Sequence, residues 1–188
     1  MSESPFSPAA EGDSGDDTTG IREPRPPRRP RRAMVVVAST RAAAGVYDDT
    51  AGPLIAEWFA ARGWSSVVEV VPDGAPVGRA LEAAIAAGMD AVITSGGTGV
   101  SPTDATPEMT RALLDRELPG VAEEIRRRGT AATPLAIVSR GLAGVTGTTV
   151  IVNLPGSRGG VRDGLDVLDG VLEHLVDQLH GGDHVRTE

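Results

Sequence analysis

Short continuous apolar runs alternate along this chain with segments of helical spacing. Such a run of apolar or β-branched residues is typical of a strand that is buried on both faces of a sheet. Strands that alternate with helices indicate a mostly parallel sheet covered on both faces, an α/β fold. The runs predict strands at 33–39, 65–71, 89–95, 134–139 and 148–153.

The segments between the runs carry the start and stop signals of helices. Thr50 and Gly63 bracket the first segment, and Thr106 is a cap for a helix that starts at Pro107. The arginines at 126–128 are predicted to form an exposed helix end. Apolar residues at spacings of three and four predict further helices at 77–87, 121–128 and, as one continuous helix, 160–179.

The first 32 residues differ in composition from the rest of the chain. They combine six prolines with six acidic and six basic residues, and they contain few apolar residues. Such a segment cannot bury enough apolar surface to offset its ordering entropy. We therefore predict a disordered tail at 1–32 and one domain at 33–183.

Charge and composition exclude several classes of function. Because the tail is neutral, the net charge of −8 lies on the remaining residues, which argues against nonspecific nucleic-acid binding. No apolar stretch reaches the ~18 residues that a membrane-crossing helix needs. The chain has no cysteine, which excludes cysteine-based metal sites and fits a cytoplasmic protein.

Polar, glycine-rich loops follow the predicted strands. In an open α/β sheet, ligands bind outside the carboxyl ends of the strands, so these loops are expected to converge on one edge. Glycines at 96, 97 and 99 allow main-chain N–H groups to approach an anion, and further glycines precede the last helix, whose N-terminus favours phosphate. Hydroxyl donors in the first of these loops are Thr94, Ser95, Thr98 and Ser101.

All of the basic residues are arginine, which excludes a Walker-type phosphate loop, because that loop requires lysine. Arg41, Arg140 and Arg158 each follow a predicted strand and are candidates for bidentate phosphate contacts. No histidine falls in these loops, so the sequence predicts neither a Ser–His–Asp arrangement nor a histidine metal site.

Two aspartates lie among the phosphate-type loops. Asp73 ends the second predicted strand and Asp104 closes the glycine loop. Carboxylates beside phosphate donors indicate a Mg²⁺ ion between them. Both residues also have an ordinary interpretation, Asp73 as a turn residue in Pro–Asp–Gly and Asp104 as a cap or turn residue, and GGTG alone is common in strand-to-helix turns.

In this order and spacing, STRAAAGVYDDTAGP, VPDG, ITSGGTGVSPTDATPE, IVSRGLAG and NLPGSRGGVRDG resemble the molybdopterin-binding domain of molybdenum-cofactor biosynthesis proteins, above all the Mog-type molybdopterin adenylyltransferases and the related MoaB proteins. The resemblance covers about residues 33–183. It implies a three-layer α/β/α fold, a homotrimer, and the Mg²⁺-dependent transfer of AMP from ATP to the terminal phosphate of molybdopterin. A downstream molybdate-insertion protein would receive the product.

The resemblance also assigns roles by position. Asp73 and Asp104 match the functional carboxylates, which would act in catalysis and hold the metal. The positions expected to bind substrate are Ser39, Arg41, Asp49, Thr94, Ser95, Gly96, Gly97, Thr98, Gly99, Ser139, Arg140, Asn153, Pro155, Gly156 and Ser157.

This chain departs from the family pattern at two positions. Thr103 stands where many members have arginine before the aspartate, and Thr40 stands where many have aspartate in Ser–Asp–Arg. Each change removes a charge near the expected ligand. Two other functions remain open at this point: a carrier that binds molybdopterin without catalysis, and a hydrolase of pyrophosphate bonds that would need no pterin.

Overall fold

A computed structural model describes residues 29–46 and 48–181. Within these ranges the strands are β1 (Arg32–Ala38), β2 (Ser65–Val71), β3 (Ala91–Ser95), β4 (Arg116–Glu117), β5 (Ala143–Thr146) and β6 (Thr149–Leu154). They form one sheet in the order β2-β1-β3-β6-β5-β4. The first four strands in this order are parallel, and β5 and β4 continue the sheet antiparallel. The predicted mostly parallel sheet is confirmed.

Helices cover both faces of this sheet. They are α1 (Thr40–Ala43), α2 (Ala51–Ala60), α3 (Ala75–Ala86), α4 (Thr106–Arg111), α5 (Pro119–Gly129), α6 (Arg158–Asp169) and α7 (Leu172–Leu179). Alternate residues of β1 supply two separate cores: Val35 packs with α2 and α6, whereas Val36 packs with α3. Because both faces of the central strands are buried, their sequences are continuously apolar rather than alternating.

One predicted strand is wrong. Residues Pro134–Val138 form a 3₁₀ helix, and the side chains of Leu135 and Ile137 are exposed. Instead, β5 (143–146) is the strand that pairs with β6 on this side of the sheet. A tight turn at Gly147, with φ of +51°, pairs Thr146 with Thr149. The hairpin leaves no edge of β6 for the earlier apolar segment.

Three helix predictions differ from the structure in detail. The predicted continuous helix at 160–179 is interrupted at Gly170, which ends α6, and α7 starts two residues later. Thr50 makes no capping hydrogen bond; the carboxylate of Asp49 accepts the first N–H groups of α2 instead. Thr106 is the first residue of α4 rather than its cap. In the part of the chain that the structure describes, no helix has the length and apolarity that a membrane crossing requires.

Four residues of the predicted tail, 29–32, are described by the structure. Residues 1–28 of the predicted tail lie outside the described residues, but its last residues contact the domain, and β1 starts at Arg32. Asp90, just before β3, is fully buried and accepts hydrogen bonds from the side chains of Arg29 and Arg31 and from the N–H of Arg32. This carboxylate fixes the start of the domain at the amino edge of the sheet.

The buried Asp90 is stable as an anion because it is surrounded by donors. Burial alone would raise the pKa of Asp90, but the N–H of Arg32, the ring of His180 and the guanidinium groups of Arg29 and Arg31 hold this pKa below its ordinary value. A pKa that is lowered by folding contributes stability at pH values above the ordinary pKa of 3.8, and this stability is lost as the pH falls.

Replacing Asp90 by Asn is expected to lower the free energy of unfolding at pH 7 by about 2–3 kcal/mol, because charge-assisted hydrogen bonds are lost inside the protein. The loss should shrink as the pH falls below 3.8, because the carboxylate is then protonated in the unfolded chain and the stability that comes from its lowered pKa is progressively lost. Urea unfolding between pH 7 and pH 3 measures both effects. Asp169→Asn is the control, since Asp169 forms an exposed ion pair with Arg62 and should change stability by less than ~1 kcal/mol. Equal losses for both variants would contradict the assignment.

Candidate active site at the carboxyl edge of the sheet

Polar loops from five strands meet at one edge of the sheet. The loops after β1, β2, β3 and β6 all leave the carboxyl ends of parallel strands. Residues 139–142 reach the same edge by another route, because they precede an antiparallel strand, β5, whose first residue pairs with Val152 near the end of β6. The predicted convergence therefore holds even though the predicted strand before residue 139 does not exist.

The glycine loop after β3 requires glycine for conformation and for space. Gly96 and Gly97 have φ values of +97° and +62°, in the left-handed region that L side chains rarely adopt. A Cβ at Gly97 would collide with Oδ2 of Asp73 and with Oγ1 of Thr106. Within the described residues, the N–H groups of Gly97, Thr98 and Gly99 have no main-chain acceptor. These three donors are the ones that a bound anion would use.

The carboxylate of Asp73 lies between the glycine loop and α4. Its Oδ1 accepts hydrogen bonds from the N–H of Gly74 at 2.6 Å, the N–H of Ala105 at 3.3 Å and the hydroxyl of Thr106 at 3.3 Å. Its Oδ2 faces Gly97. Asp73 therefore bridges the ends of two separate strands.

Asp104 lies against the same loop at Gly99, two residues after the glycine that Asp73 contacts. Its Oδ2 accepts a hydrogen bond from the N–H of Ser101 at 3.1 Å, and a Cβ at Gly99 would come within 2.6 Å of that oxygen. The N–H of Ala105, the next residue, donates to Asp73. Both predicted carboxylates thus contact the glycine loop, Asp73 at Gly97 and Asp104 at Gly99.

The donors around these two carboxylates are neutral. Among the described residues, no ion pair reaches Asp73 or Asp104, in contrast to Asp90. The described residues also contain no group of three or more histidine, cysteine, aspartate or glutamate side chains arranged to hold a metal. Mg²⁺ is commonly bound by one or two carboxylates together with substrate phosphates, so two carboxylates without a cation partner fit this ion.

A second polar loop lies beside the first. A Cβ at Gly156 would be 3.2 Å from the Cα of Gly96, so the two loops touch through their glycines. Ser157 caps α6, and its Oγ accepts a hydrogen bond from the N–H of Gly160 at 3.1 Å. The positive end of a helix of 12 residues therefore points to this edge, with Pro155 and Gly156 directly before it.

Three predicted binding residues use their side chains inside the protein. Asn153 is 3% exposed; its Nδ2 donates to the hydroxyls of Thr94 and Thr110, and its Oδ1 accepts from the N–H of Leu142. The hydroxyl of Ser95 donates to the carbonyl of Pro155. These side chains join β3, β6 and α4 beneath the loops, so any contact with a ligand would have to come through their main chain.

The remaining predicted residues include two helix caps and several residues that differ in exposure. Ser39 caps α1, and Asp49 caps α2 as described above, so both have structural roles at the edge. Arg41 is exposed and Gly99 is partly buried, whereas Thr98 is 5% exposed. Thr103, at the position where relatives often have arginine, is exposed.

Arg140 does not project freely into solvent. Its guanidinium donates to the carbonyls of Gly99 and Asp104, each at 2.6 Å, and forms an ion pair with Glu108. Its neighbour Ser139 has a carbonyl that accepts a hydrogen bond from Arg126. Arg126 was predicted to be part of an exposed helix end, and this prediction is wrong, because its guanidinium turns inward to the loop before β5.

A cavity of about 320 Å³ opens next to the glycine loop. Its walls come from α5, the 3₁₀ helix and the start of α6, and they are mainly apolar with a few polar groups. This volume lies within the usual range for small-molecule sites. The lining includes Thr98, Gly99, Ile125, Ala136, Pro155 and Ser157. The apolar 3₁₀ helix, read from the sequence as a strand, is one wall of this cavity.

Comparison with known proteins agrees with this architecture. The family model described as "Probable molybdopterin binding domain" matches residues 34–174. The structure of the molybdopterin biosynthesis Mog protein from Mycobacterium ulcerans superimposes with a TM-score of 0.79 at 55% identity, covering 82% of this chain and 99% of that one. The edge described above therefore belongs to a three-layer α/β domain of the molybdopterin-binding class.

Curated relatives differ in length. A "Molybdenum cofactor biosynthesis bifunctional protein" from Chlorobaculum tepidum is 36% identical over 155 residues, which is 81% of this chain but 50% of that protein. A "Molybdopterin adenylyltransferase" from Helicobacter pylori is 32% identical over 152 residues, 78% of this chain and 86% of that protein. The chain thus spans about half the length of the first relative. It belongs to the molybdopterin-binding-domain family, and the resemblance inferred from its loops is confirmed.

The collision at Gly97 gives a direct test of the site's geometry. Gly97→Ala is expected to destabilise the protein by at least ~2 kcal/mol more than Gly88→Ala, because the new methyl group must displace Asp73 or Thr106. Gly88 is a matched control: its φ is +65°, and nothing lies within 4 Å of an added Cβ, so it reports the left-handed penalty alone, about 1–2 kcal/mol. Urea unfolding of both variants measures the difference. Equal losses would show that Asp73 does not lie against this glycine.

Proposed function

We propose that this chain is a molybdopterin adenylyltransferase, which transfers AMP from ATP to the terminal phosphate of molybdopterin and releases pyrophosphate. The observation that carries the proposal is the placement of Asp73 and Asp104 against Gly97 and Gly99 of one loop. The adenylyltransferase name of relatives such as the Helicobacter protein supports the same activity.

The reaction requires alignment rather than covalent chemistry from the protein. An oxygen of the pterin's terminal phosphate forms a bond to the α-phosphorus of ATP, and the bond between the α-phosphorus and the bridging oxygen to the β-phosphate breaks. Pyrophosphate leaves with that electron pair. The main-chain donors of Gly97 to Gly99 and the N-terminus of α6 are suited to hold the phosphates in line, because they are fixed before the substrates bind.

Asp73 and Asp104 would hold the Mg²⁺ ion. When bound, this ion neutralises phosphate charge and stabilises the pyrophosphate leaving group. Hydrogen bonds to Oδ1 of Asp73 and Oδ2 of Asp104 hold the two carboxylates against the loop, where glycine leaves space for them. The cavity beside the loop has room for a flat heterocycle of the size found in pterin and adenine.

The wider setting of the enzyme is also part of the proposal. A molybdate-insertion protein would accept the adenylated pterin, and both proteins would act in the cytoplasm. The homotrimer implied by the family resemblance is supported by β2, a parallel edge strand on which Val67 and Val68 are 52% and 42% exposed. Among the described residues no strand pairs with the outer side of β2, and an apolar edge of this kind is usually covered by another surface.

Asp104→Ala and Asp73→Ala are each expected to lower kcat/KM by about 100- to 1,000-fold, as is typical when a group that stabilises transition-state charge is removed. For Asp104→Ala, molybdopterin binding and the fold should be retained. The assay follows formation of adenylated pterin and pyrophosphate from ATP, molybdopterin and Mg²⁺. Asp166→Ala is the control, since Asp166 is largely exposed on α6 and should leave the rate unchanged.

The same assay separates the other two functions. A carrier would bind molybdopterin but would release no pyrophosphate in the presence of ATP and Mg²⁺. A hydrolase would cleave ATP or a related pyrophosphate at the same rate with and without pterin. Adenylation by Asp104→Ala at the wild-type rate would contradict the role of this carboxylate.

For the oligomeric state, three copies of a 19.3 kDa chain give a mass of about 58 kDa. Sedimentation equilibrium at micromolar concentration is expected to give this mass, because burying the apolar edge of β2 favours association. Val67→Glu should shift the equilibrium towards monomer if β2 lies in the interface. A mass near 19 kDa for the wild-type protein would contradict the trimer.

A further inference from the structure

Arg140 contacts both ends of the segment that carries Asp104. Its main-chain N–H donates to the carbonyl of Thr98 at 2.9 Å, and its Nε donates to the carbonyl of Gly99 at 2.6 Å. One terminal nitrogen donates to the carbonyl of Asp104 at 2.6 Å, and the other pairs with Glu108 in the first turn of α4. A single residue therefore fixes three carbonyl groups of the glycine loop.

The bound carbonyls determine where the loop's N–H groups point. In a trans peptide the C=O and N–H bonds point in opposite directions. Arg140 holds the carbonyls of Thr98 and Gly99 on its own side, so the N–H groups of the following residues, Gly99 and Val100, point away from it. The orientation of this part of the loop is set by the arginine.

The third carbonyl links Arg140 to both carboxylates. The peptide between Asp104 and Ala105 has its C=O bound by Arg140 and its N–H bound to Oδ1 of Asp73. A cation at the oxygen of a peptide strengthens the donor at its nitrogen. The peptide therefore connects the guanidinium to Asp73 and at the same time fixes the backbone of Asp104.

Arg126 holds Arg140 in place from the neighbouring helix. One of its terminal nitrogens donates to the carbonyls of Ser139 and Gly141, at 3.3 Å and 3.0 Å, on either side of Arg140. The close packing of this strand start, where a Cβ at Gly141 would be 2.8 Å from the carbonyl of Asn153, restricts it further. Helix α5 thus holds the loop before β5 through Arg126, and that loop holds the glycine loop through Arg140.

We propose that Arg140 is a positioning residue that aligns Asp73 and Asp104 through the carbonyls of the glycine loop, and that Arg126 supports it. This inference rests on the proposed adenylyl transfer. It differs from the sequence-based expectation that Arg140 binds a substrate phosphate. Its guanidinium is already bonded to the protein on three sides, and only the planar fork of arginine can satisfy these acceptors together.

The first test separates positioning from phosphate binding. Arg140→Ala is expected to lower kcat by about 100-fold, as misplaced reacting groups do, and to raise the Mg²⁺ concentration needed for half-maximal rate, while KM for ATP and for molybdopterin changes less than 3-fold. Arg140→Lys should recover only part of kcat. An increase in KM with kcat unchanged would overturn the proposal and show direct substrate binding.

Matched variants test the supporting contacts. Arg126→Ala should lower kcat by about 10-fold, whereas Arg127→Ala should not, because Arg127 is exposed and pairs with Glu124 on its own helix. Equal rates for Arg126→Ala and the wild type would overturn the support assigned to Arg126. If Arg140→Ala does not fold, Arg140→Lys carries the test, with a 10-fold loss of kcat expected and an unchanged kcat contradicting it.

A readout without turnover distinguishes failure of this inference from failure of the proposed function. Hydrogen exchange of the peptide covering residues 97–106 in the substrate-free protein should accelerate by at least 10-fold in Arg140→Ala but not in Arg127→Ala. Unchanged exchange would overturn the positioning role whatever reaction the protein performs. Faster exchange in a protein that shows no adenylation would instead reject the proposed function.

Discussion

The close approach of main chain to carboxylate at Gly97 is the constraint on which the rest of the site depends. The space that a side chain would fill at this position is occupied by Asp73 and Thr106, and the backbone adopts a conformation that other residues rarely accept. This contact fixes the loop after β3 to the end of β2 and to the start of α4. Because Gly97 has no side chain, three elements that are distant in sequence can pack together at this position. Asp104 follows a few residues further along the same loop.

Carboxylates at the two ends of the sheet have different surroundings. At the amino edge, Asp90 is fully buried and surrounded by arginines, so its charge is balanced within the protein. At the carboxyl edge, the donors to Asp73 among the described residues are N–H and hydroxyl groups. These donors hold the carboxylate in place but leave its charge uncompensated. An acidic pair of this kind is suited to a divalent ion that arrives with phosphate ligands. The same residue type thus stabilises the fold at one edge and is available for chemistry at the other.

The sequence predicts where loops lie better than it predicts what their side chains do. Continuous apolar runs that alternate with helices indicate parallel strands, and parallel strands place the loops that follow them at one edge. The sequence alone therefore predicts that Asp73 and Asp104 lie at the same edge of the sheet. Side-chain direction depends on local competition for partners. Asn153 satisfies buried hydroxyls and an N–H group, and Asp49 caps a helix. The inward turn of Arg126 could not be distinguished from its exposed neighbours, because its acceptors are carbonyls, which carry no sequence signal. The 3₁₀ helix at 134–138 was mistaken for a strand because a wall of a cavity is as apolar as a buried strand.

The absence of lysine gives the arginines of this chain a particular importance. A lysine at position 140 would present one compact charge at the end of a flexible stem and could not bond to two carbonyls and a carboxylate in fixed directions. The planar guanidinium can, and the carbonyls of Gly99 and Asp104 lie where its Nε and a terminal nitrogen reach them. A loop of glycine and small polar residues has little apolar surface to hold it, so its order must come from hydrogen bonds. Because Arg140 binds the carbonyls of Thr98 and Gly99, the N–H groups of the residues that follow them remain for an anion, so in these two peptides the carbonyl serves structure and the N–H serves binding.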